Sequence, residues 1–357
     1  MEIKKGKNVR LIEKIGQARG QWIESQKGVH LSEFVIPFVK NKKYSSPSHK
    51  PITTKHHSIP AQCRWKLPGS EWLFVKYYLG IENENLFLIE QASCFAQPLL
   101  ERGIIAGWFF IRYADPKPHL RIRFHGEKEL MITQLIPAIH EWASILLQEQ
   151  AIQEMTLSTY EREVERYGGE ELIESTEAFF CADTETAILL IHAMLGKKTP
   201  FPEEVIASLS MIDLLKGFGL TLKEQISFFS ALAMDKEELA GFRKWKNSLL
   251  SLGEAILEDR LALQNDTFFL QEAFQKRTST LETHARKLRE MEEKQKLIVP
   301  PNLIYDSILH MHCNRLMSRL EKEKKARLYA FQTLTILQEK EERLNMLGIK
   351  SEACPSF

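Results

Sequence analysis

The chain has 357 residues, is 44% hydrophobic and 27% charged, and carries a formal net charge of +1. These values are ordinary for a soluble globular protein of about two domains with a core large enough to need no staples. They exclude a global field that would draw the chain to nucleic acid or membrane, so anion binding must rest on local clusters. The cysteines, Cys63, Cys94, Cys181, Cys313 and Cys354, are odd in number and dispersed. That argues against a disulfide framework or a zinc site and for a reducing compartment. The start lacks the apolar run of a signal peptide, and no stretch approaches about 18 consecutive apolar residues. The expectation is a cytoplasmic protein with no membrane span, no metal and no cofactor.

Residues 1–69 form an appendage. Arg10 to Gln26 is weakly helical, Val29 to Val39 has strand composition, and Asn41 to Pro60 reads as a linker. From Glu71 the pattern sharpens. Trp72 to Leu79 reads as a strand, Asn83 to Arg102 as a helix closed by Gly103, and Gly107 to Ala114 as a strand. Asp115-Pro-Lys-Pro118 is a turn, and His119 to Phe124 a strand. Glu127 to Gln150 is a helix that Pro137 must kink, and Ile152 to about Arg162 a further strand. The order β-α-β-β-α-β over residues 70–169 is that of a ferredoxin-like split unit. Residues 170–357 read as helical: Glu170 to Cys181, Thr184 to Leu195, Val205 to Phe218, Leu222 to Ala233, Lys236 to Leu250 and Ala255 to Lys276. Thr278 to Lys296 is charged enough to be a solvent-facing helix or spacer. Pro300-Pro301 precedes one long helix from Ile304 to Met346. The fold class is therefore α+β, a ferredoxin-like half followed by a mostly helical half.

Three constellations carry candidate chemistry. In His119-Leu-Arg-Ile-Arg-Phe-His125, apolar residues alternate with His119, Arg121, Arg123 and His125. A strand with this pattern packs one face on a core and turns two guanidiniums and two imidazoles to the other. Guanidiniums are planar forks suited to carboxylate or phosphate. The bland alternative is a solvated sheet face, but such faces usually mix in acids and hydroxyls. Arg112 and Tyr113 lie on the neighbouring strand. The second constellation is Tyr160-Glu-Arg-Glu-Val-Glu-Arg-Tyr-Gly-Gly169. Arg162 and Arg166 share a face if it is helical, and the glycines permit close backbone approach. Its three acids could equally make it a salt-bridged turn. The third is Leu309-His-Met-His-Cys-Asn-Arg315. On a helical wheel, Tyr305, Ile308, Leu309, Cys313, Leu316 and Leu320 form the apolar stripe. His312 flanks that stripe as a core histidine. His310 falls about 110° from its centre, beside Asn314, and is either solvent-exposed or a proton-transfer group.

These runs, with Trp72-Leu-Phe-Val-Lys-Tyr-Tyr-Leu-Gly80 and Gly107-Trp-Phe-Phe-Ile-Arg-Tyr-Ala-Asp-Pro-Lys-Pro-His-Leu-Arg-Ile-Arg-Phe124, resemble the C-terminal domain of class I lantibiotic dehydratases. Stand-alone versions of that domain occur in thiopeptide-type bacteriocin pathways. The resemblance runs from about residue 70 to 340, and residues 1–69 look like the end of a preceding glutamylation domain. It implies a lyase that eliminates glutamate from glutamylated Ser or Thr of a precursor peptide, leaving dehydroalanine or dehydrobutyrine. Carried over by motif, the elimination arginines fall on Arg121 or Arg123 and on Arg162 or Arg166, and the catalytic histidine on His310. The expected catalytic set is His310, Arg121 and Arg162. Arg112, Arg123, Arg166, Tyr113 and Asn314 are expected to bind substrate. With nearly all of the glutamylation domain missing, either a separate glutamyl-tRNA-dependent partner makes the substrate or the chain is a fragment. The resemblance also suggests association with itself or with that partner. Two other readings stand beside it: a [4+2] cyclisation enzyme of thiopeptide type, and a non-catalytic peptide-binding subunit.

Overall fold

The computed structural model describes residues 22–25, 28–31, 59–230, 236–261, 268–317 and 321–346. Residues 1–53 and 54–357 form separate compact units. In the first, β1 (Trp22–Ser25) and β2 (Gly28–Leu31) pair antiparallel, Trp22 opposite Leu31. The helix expected over residues 10–26 therefore gives way to a strand at its C-terminal end. Its earlier residues, and the strand expected beyond Leu31, lie outside the described residues.

The second unit opens with α1 (Ala61–Arg64) and β3 (Trp65–Lys66). β4 (Trp72–Tyr78) leads through a 3-10 turn, α2 (Glu84–Leu86) and a π-helical stretch (Phe87–Ser93) into α3 (Cys94–Glu101). β5 (Gly107–Tyr113) and β6 (His119–His125) follow, then α4 (Lys128–Leu130). The helical run continues through a π-helical stretch at Met131–Leu135 into α5 (Ile136–Gln148), and that stretch accommodates Pro137, which would otherwise break the hydrogen-bond ladder. β7 (Glu154–Ser158) ends this layer. The last expected strand is in fact two, because β8 (Tyr160–Glu161) leaves the sheet to pair with β3. The four-stranded sheet has the order β5-β6-β4-β7, antiparallel throughout.

Both faces of this sheet carry core residues. Leu73, Val75, Tyr77, Trp108, Phe110, Leu120, Ile122 and Phe124 pack one side against the α3 and α5 layer. Trp72, Phe74 and Phe109, on the other side, belong to the core of the helical half. Apolar residues at both parities make β4 a near-continuous apolar run, as expected of a strand covered twice. The basic alternation of β6 therefore faces the helical half rather than bulk solvent, and Arg123 is buried.

The helical half is built on α6 (Glu170–Leu195), one uninterrupted helix where two were expected. Asp183, in the gap between the two expected helices, and Thr184, the expected start of the second, are both buried within it. α6 is also long and apolar enough to cross a membrane, as is Lys128–Gln148, yet half of its length lies against α10, β5 and α11. α7 (Glu203–Gly217) and α8 (Leu222–Phe229) come next, then α9 (Lys236–Leu257). In α10 (Phe268–Glu293), Leu281, His284, Ala285 and Leu288 of the supposed spacer are buried against α6. The expected final helix breaks at Met317, which is extended, into α11 (Pro301–Leu316) and α12 (Glu321–Met346).

Candidate active site

α11 is fixed to the sheet by its own polar side chains. An edge strand presents unpaired backbone groups that need cover. The Arg112 N–H of edge strand β5 donates to Asn314 Oδ1 at 2.8 Å, and Asn314 Nδ2 returns a bond to the Arg112 carbonyl at 3.0 Å. Arg315 Nε donates to the Phe110 carbonyl at 3.1 Å. Asn314 thus acts as a surrogate strand residue, and both ends of its amide are used. Behind it, Asp183 accepts from Arg277 at 2.9 Å, His312 at 2.8 Å and Arg315 at 3.0 Å, tying α6, α10 and α11 together with no exposure. Burial alone would raise the Asp183 carboxyl, but His312, Arg315 and Arg277 more than offset it and hold the group well below the carboxylate range. His312 is the core histidine its wheel position indicated.

Between this scaffold and the basic side of the sheet lies a cavity of about 1140 Å³. Seven of the eight sequence-derived site residues line it: Arg112, Tyr113, Arg121, Arg123, Arg166, His310 and Asn314. Arg162 does not. Its Nε and Nη2 grip the two oxygens of Glu177 at 2.8 and 2.7 Å, a buried bidentate pair that Tyr160 completes through a hydroxyl bond of 2.8 Å. The segment is a strand and turn rather than a helix, so Arg162 and Arg166 part company. Gly168 and Gly169, with φ of 93° and 124°, turn it back onto α6.

The lining arginines differ in their freedom. Arg112 is committed: Nη1 meets Glu84 at 2.7 Å, Nη2 meets Asn85 at 2.6 Å, and Nε donates to the Arg315 carbonyl. That leaves little of it for a substrate. Arg166 donates to Ser307 at 3.1 Å and shares Glu163. Arg121 lies over the Tyr113 ring, 3.3 Å from its centroid, and its Nε donates to His119 at 3.0 Å. Arg123 sits among Phe74, Tyr160 and Phe109, at 4.4, 4.6 and 5.3 Å from their centroids. Its Nε and Nη1 are buried without a partner among the described residues. Burial lowers its pKa.

Lys76, which the sequence reading passed over, stands opposite Arg121 in the β4–β6 register. It has no ion pair among the described residues, and burial, Arg121 and Arg123 together lower its pKa. The signal was available: Lys76 is the polar interruption in an otherwise apolar β4. Lys76, Arg121 and Arg123 thus share one side of the sheet with no acid between them. A charge left uncompensated in a partly dry site is costly unless a ligand supplies its partner.

His310, on α11, is a third exposed, and its Nδ1 lies 2.8 Å from Glu323 Oε2 of α12. Arg327 holds the same carboxylate through Nε and Nη2 at 2.9 and 2.8 Å. Burial raises the Glu323 carboxyl, but the bonds from His310 and Arg327 bring it below its ordinary value, so it is ionised. The cavity therefore sets a titratable base on a helical wall and free cations on a sheet wall, an arrangement for moving a proton beside developing negative charge.

The profile described as "Lantibiotic biosynthesis dehydratase C-term" matches residues 72–335. The chain is 28% identical over 285 residues to the subtilin biosynthesis protein SpaB of Bacillus subtilis, covering 80% of this chain and 27% of SpaB. It is 27% identical over 322 residues to the nisin biosynthesis protein NisB of Lactococcus lactis subsp. lactis, covering 88% of this chain and 30% of NisB. It thus spans under a third of the length of these relatives. The tRNA-dependent lantibiotic dehydratase MibB of Microbispora sp. 107891 shares the fold with a TM-score of 0.67 at 23% identity, over 77% of this chain and 29% of MibB. The pyridine synthase TbtD from thiomuracin biosynthesis aligns over 76% of this chain and 100% of its own, with a TM-score of 0.54 at 14% identity. By the extent of the profile match, this chain belongs to the lantibiotic biosynthesis dehydratase C-terminal family.

Proposed function

We propose that this chain is a lyase that eliminates glutamate from glutamylated Ser or Thr of a ribosomally made precursor peptide, giving dehydroalanine or dehydrobutyrine. The observation that carries the reading is the unpaired cationic wall of Lys76, Arg121 and Arg123 across the cavity from His310. Hydroxide is a poor leaving group, whereas an esterified glutamate departs as a carboxylate. His310 Nε2 takes the α-proton of the modified residue. The freed electron pair forms the Cα–Cβ double bond, the bond from Cβ to the ester oxygen breaks, and glutamate leaves with that oxygen as its new carboxylate. The cations stabilise this developing charge and hold the second carboxylate of glutamate in register. Arg166 faces the same cavity from the opposite wall and keeps its substrate-binding role, while the catalytic role expected of Arg162 falls to the cations that line the cavity.

Glutamylation of the peptide is supplied from outside the residues of this chain, by a glutamyl-tRNA-dependent protein. In the same reading, the β4 to β7 layer is a ferredoxin-like unit, which the strand order β5-β6-β4-β7 supports. A [4+2] cyclisation is the second reading, favoured by the full-length alignment with TbtD. It gives no use to three unpaired cations.

The test is mass spectrometry on a glutamyl-Ser peptide. Elimination releases free glutamate and leaves a peptide lighter by one water than its unmodified form. His310→Ala, Arg121→Ala and Arg123→Ala should leave the adduct intact. Undiminished turnover in all three overturns the reading.

A further inference from the structure

The elimination reading needs an imidazole with a free lone pair on the nitrogen facing the substrate. Neutral histidine exists in two tautomers, and the partner of one ring nitrogen decides which is present. His310 Nδ1 lies 2.8 Å from Glu323 Oε2. A carboxylate can only accept, so this contact requires the ring proton on Nδ1. Nε2 is then unprotonated in the neutral ring and has no partner among the described residues.

Glu323 is itself braced. Its Oε1 takes both Arg327 bonds, which leaves Oε2 for the imidazole. Arg327 is anchored in turn by Asp306, one turn before His310 on α11, at 2.7 Å. The chain of contacts runs His310, Glu323, Arg327, Asp306 and so returns to the helix it started from. The Glu323 side chain is 12% exposed, where a carboxylate is held in one geometry rather than swinging in solvent. Two residues from different helices, thirteen positions apart, are thereby locked in a fixed relation beside the cavity.

We infer that Glu323 is the positioning residue of this site: it fixes the Nδ1–H tautomer and ring orientation of His310 and stabilises the imidazolium formed when Nε2 takes the α-proton. This rests on the elimination reading for its kinetic consequence, but not for its structural one. Glu323 is not among the residues that line the cavity, so its loss acts on the chemical step rather than on binding.

The experiment compares wild type, Glu323→Gln and Glu323→Asp by glutamate release and by ¹⁵N correlation spectra of histidine-labelled protein, with His310 assigned by its absence in His310→Gln. The expected wild-type pattern is a protonated Nδ1 and an unprotonated Nε2 in the neutral ring. Glu323→Gln should lower kcat about 10- to 100-fold with KM within about twofold, and its His310 signals should show the other tautomer or a mixture. Glu323→Asp should recover part of the rate and the wild-type pattern. A wild-type His310 protonated on Nε2 overturns the inference, as does a Glu323→Gln protein with unchanged kcat. So does a loss of rate that appears only with a lowered melting temperature and unaltered His310 signals. If wild type shows the expected tautomer but releases no glutamate, the elimination reading fails while the pairing stands.

Discussion

Replacing Arg123 and Arg162 in turn by methionine separates two arginines that look alike in the sequence. Arg162→Met removes two charge-assisted bonds of 2.8 and 2.7 Å and leaves Glu177, 3% exposed, with only the Tyr160 hydroxyl. Breaking a buried pair from one side costs about 3–5 kcal/mol. For a chain of 357 residues that lowers Tm by about 4–7 °C. Burial already raises the Glu177 pKa, so without Arg162 the carboxyl recovers part of the loss by taking up a proton. The deficit should shrink as pH falls.

Arg123→Met starts from a different balance. Two buried N–H groups without partners cost about 1–3 kcal/mol each. The three aromatic rings return about 0.5–2 kcal/mol each. The terms nearly cancel, and methionine packs well against rings. Arg123→Met should therefore melt within a few degrees of wild type. Its loss should appear in catalysis instead, where a charge-assisted bond to a carboxylate is worth about 1.5–3 kcal/mol, or roughly 10- to 150-fold in kcat/KM. Thermal denaturation and glutamate release on the same preparations decide the matter. A stable but inactive Arg162→Met beside an unstable but active Arg123→Met would refute the assignment.

His284 gives the pH dependence. Burial lowers its pKa from 6.5 to about 4, so between those values the unfolded chain binds a proton that the folded chain refuses. Its contribution is complete above pH 6.5 and falls by up to about 3 kcal/mol as pH drops to about 4. Urea midpoints at pH 7 and 4.5 should differ less in His284→Leu than in wild type. Asn314→Ala orphans the N–H and carbonyl of Arg112 and should cost about 2–4 kcal/mol, seen in urea unfolding, with a fall in kcat as α11 loosens. Gly168→Ala forces a side chain into φ 93° with its Cβ 2.7 Å from Leu172 and should lower Tm by several degrees. Lys76→Met should raise KM for the glutamylated peptide about 10-fold and relieve product inhibition by free glutamate. An unchanged inhibition constant would remove Lys76 from the site.

Periodic features were legible because they are local. Strict alternation marked β6, and aromatic and β-branched runs marked β4 and β5, since strand geometry imposes period two on whatever lies above and below. The core position of His312 followed from period 3.6 in the same way. The misreadings arose where a polar residue found its partner far along the chain. Asp183 fell in the gap between two expected helices because nothing near it in sequence shows the Arg277, His312 and Arg315 that satisfy it. Thr278 to Lys296 resembled a spacer because its charges outnumber the Leu281, His284, Ala285 and Leu288 that it buries.

The sequence by itself determined that a basic-faced strand, an arginine-bearing turn ending in two glycines and a histidine-bearing helix exist, because each follows from side-chain spacing along a few residues. Only the tertiary structure decided which cations remain free. Arg112 is spent on Glu84 and Arg162 on Glu177, whereas Lys76, Arg121 and Arg123 keep charge without a neighbouring acid. Whether a charge is neutralised depends on distance in space, and that distance is set by packing the sheet against α6 and α11.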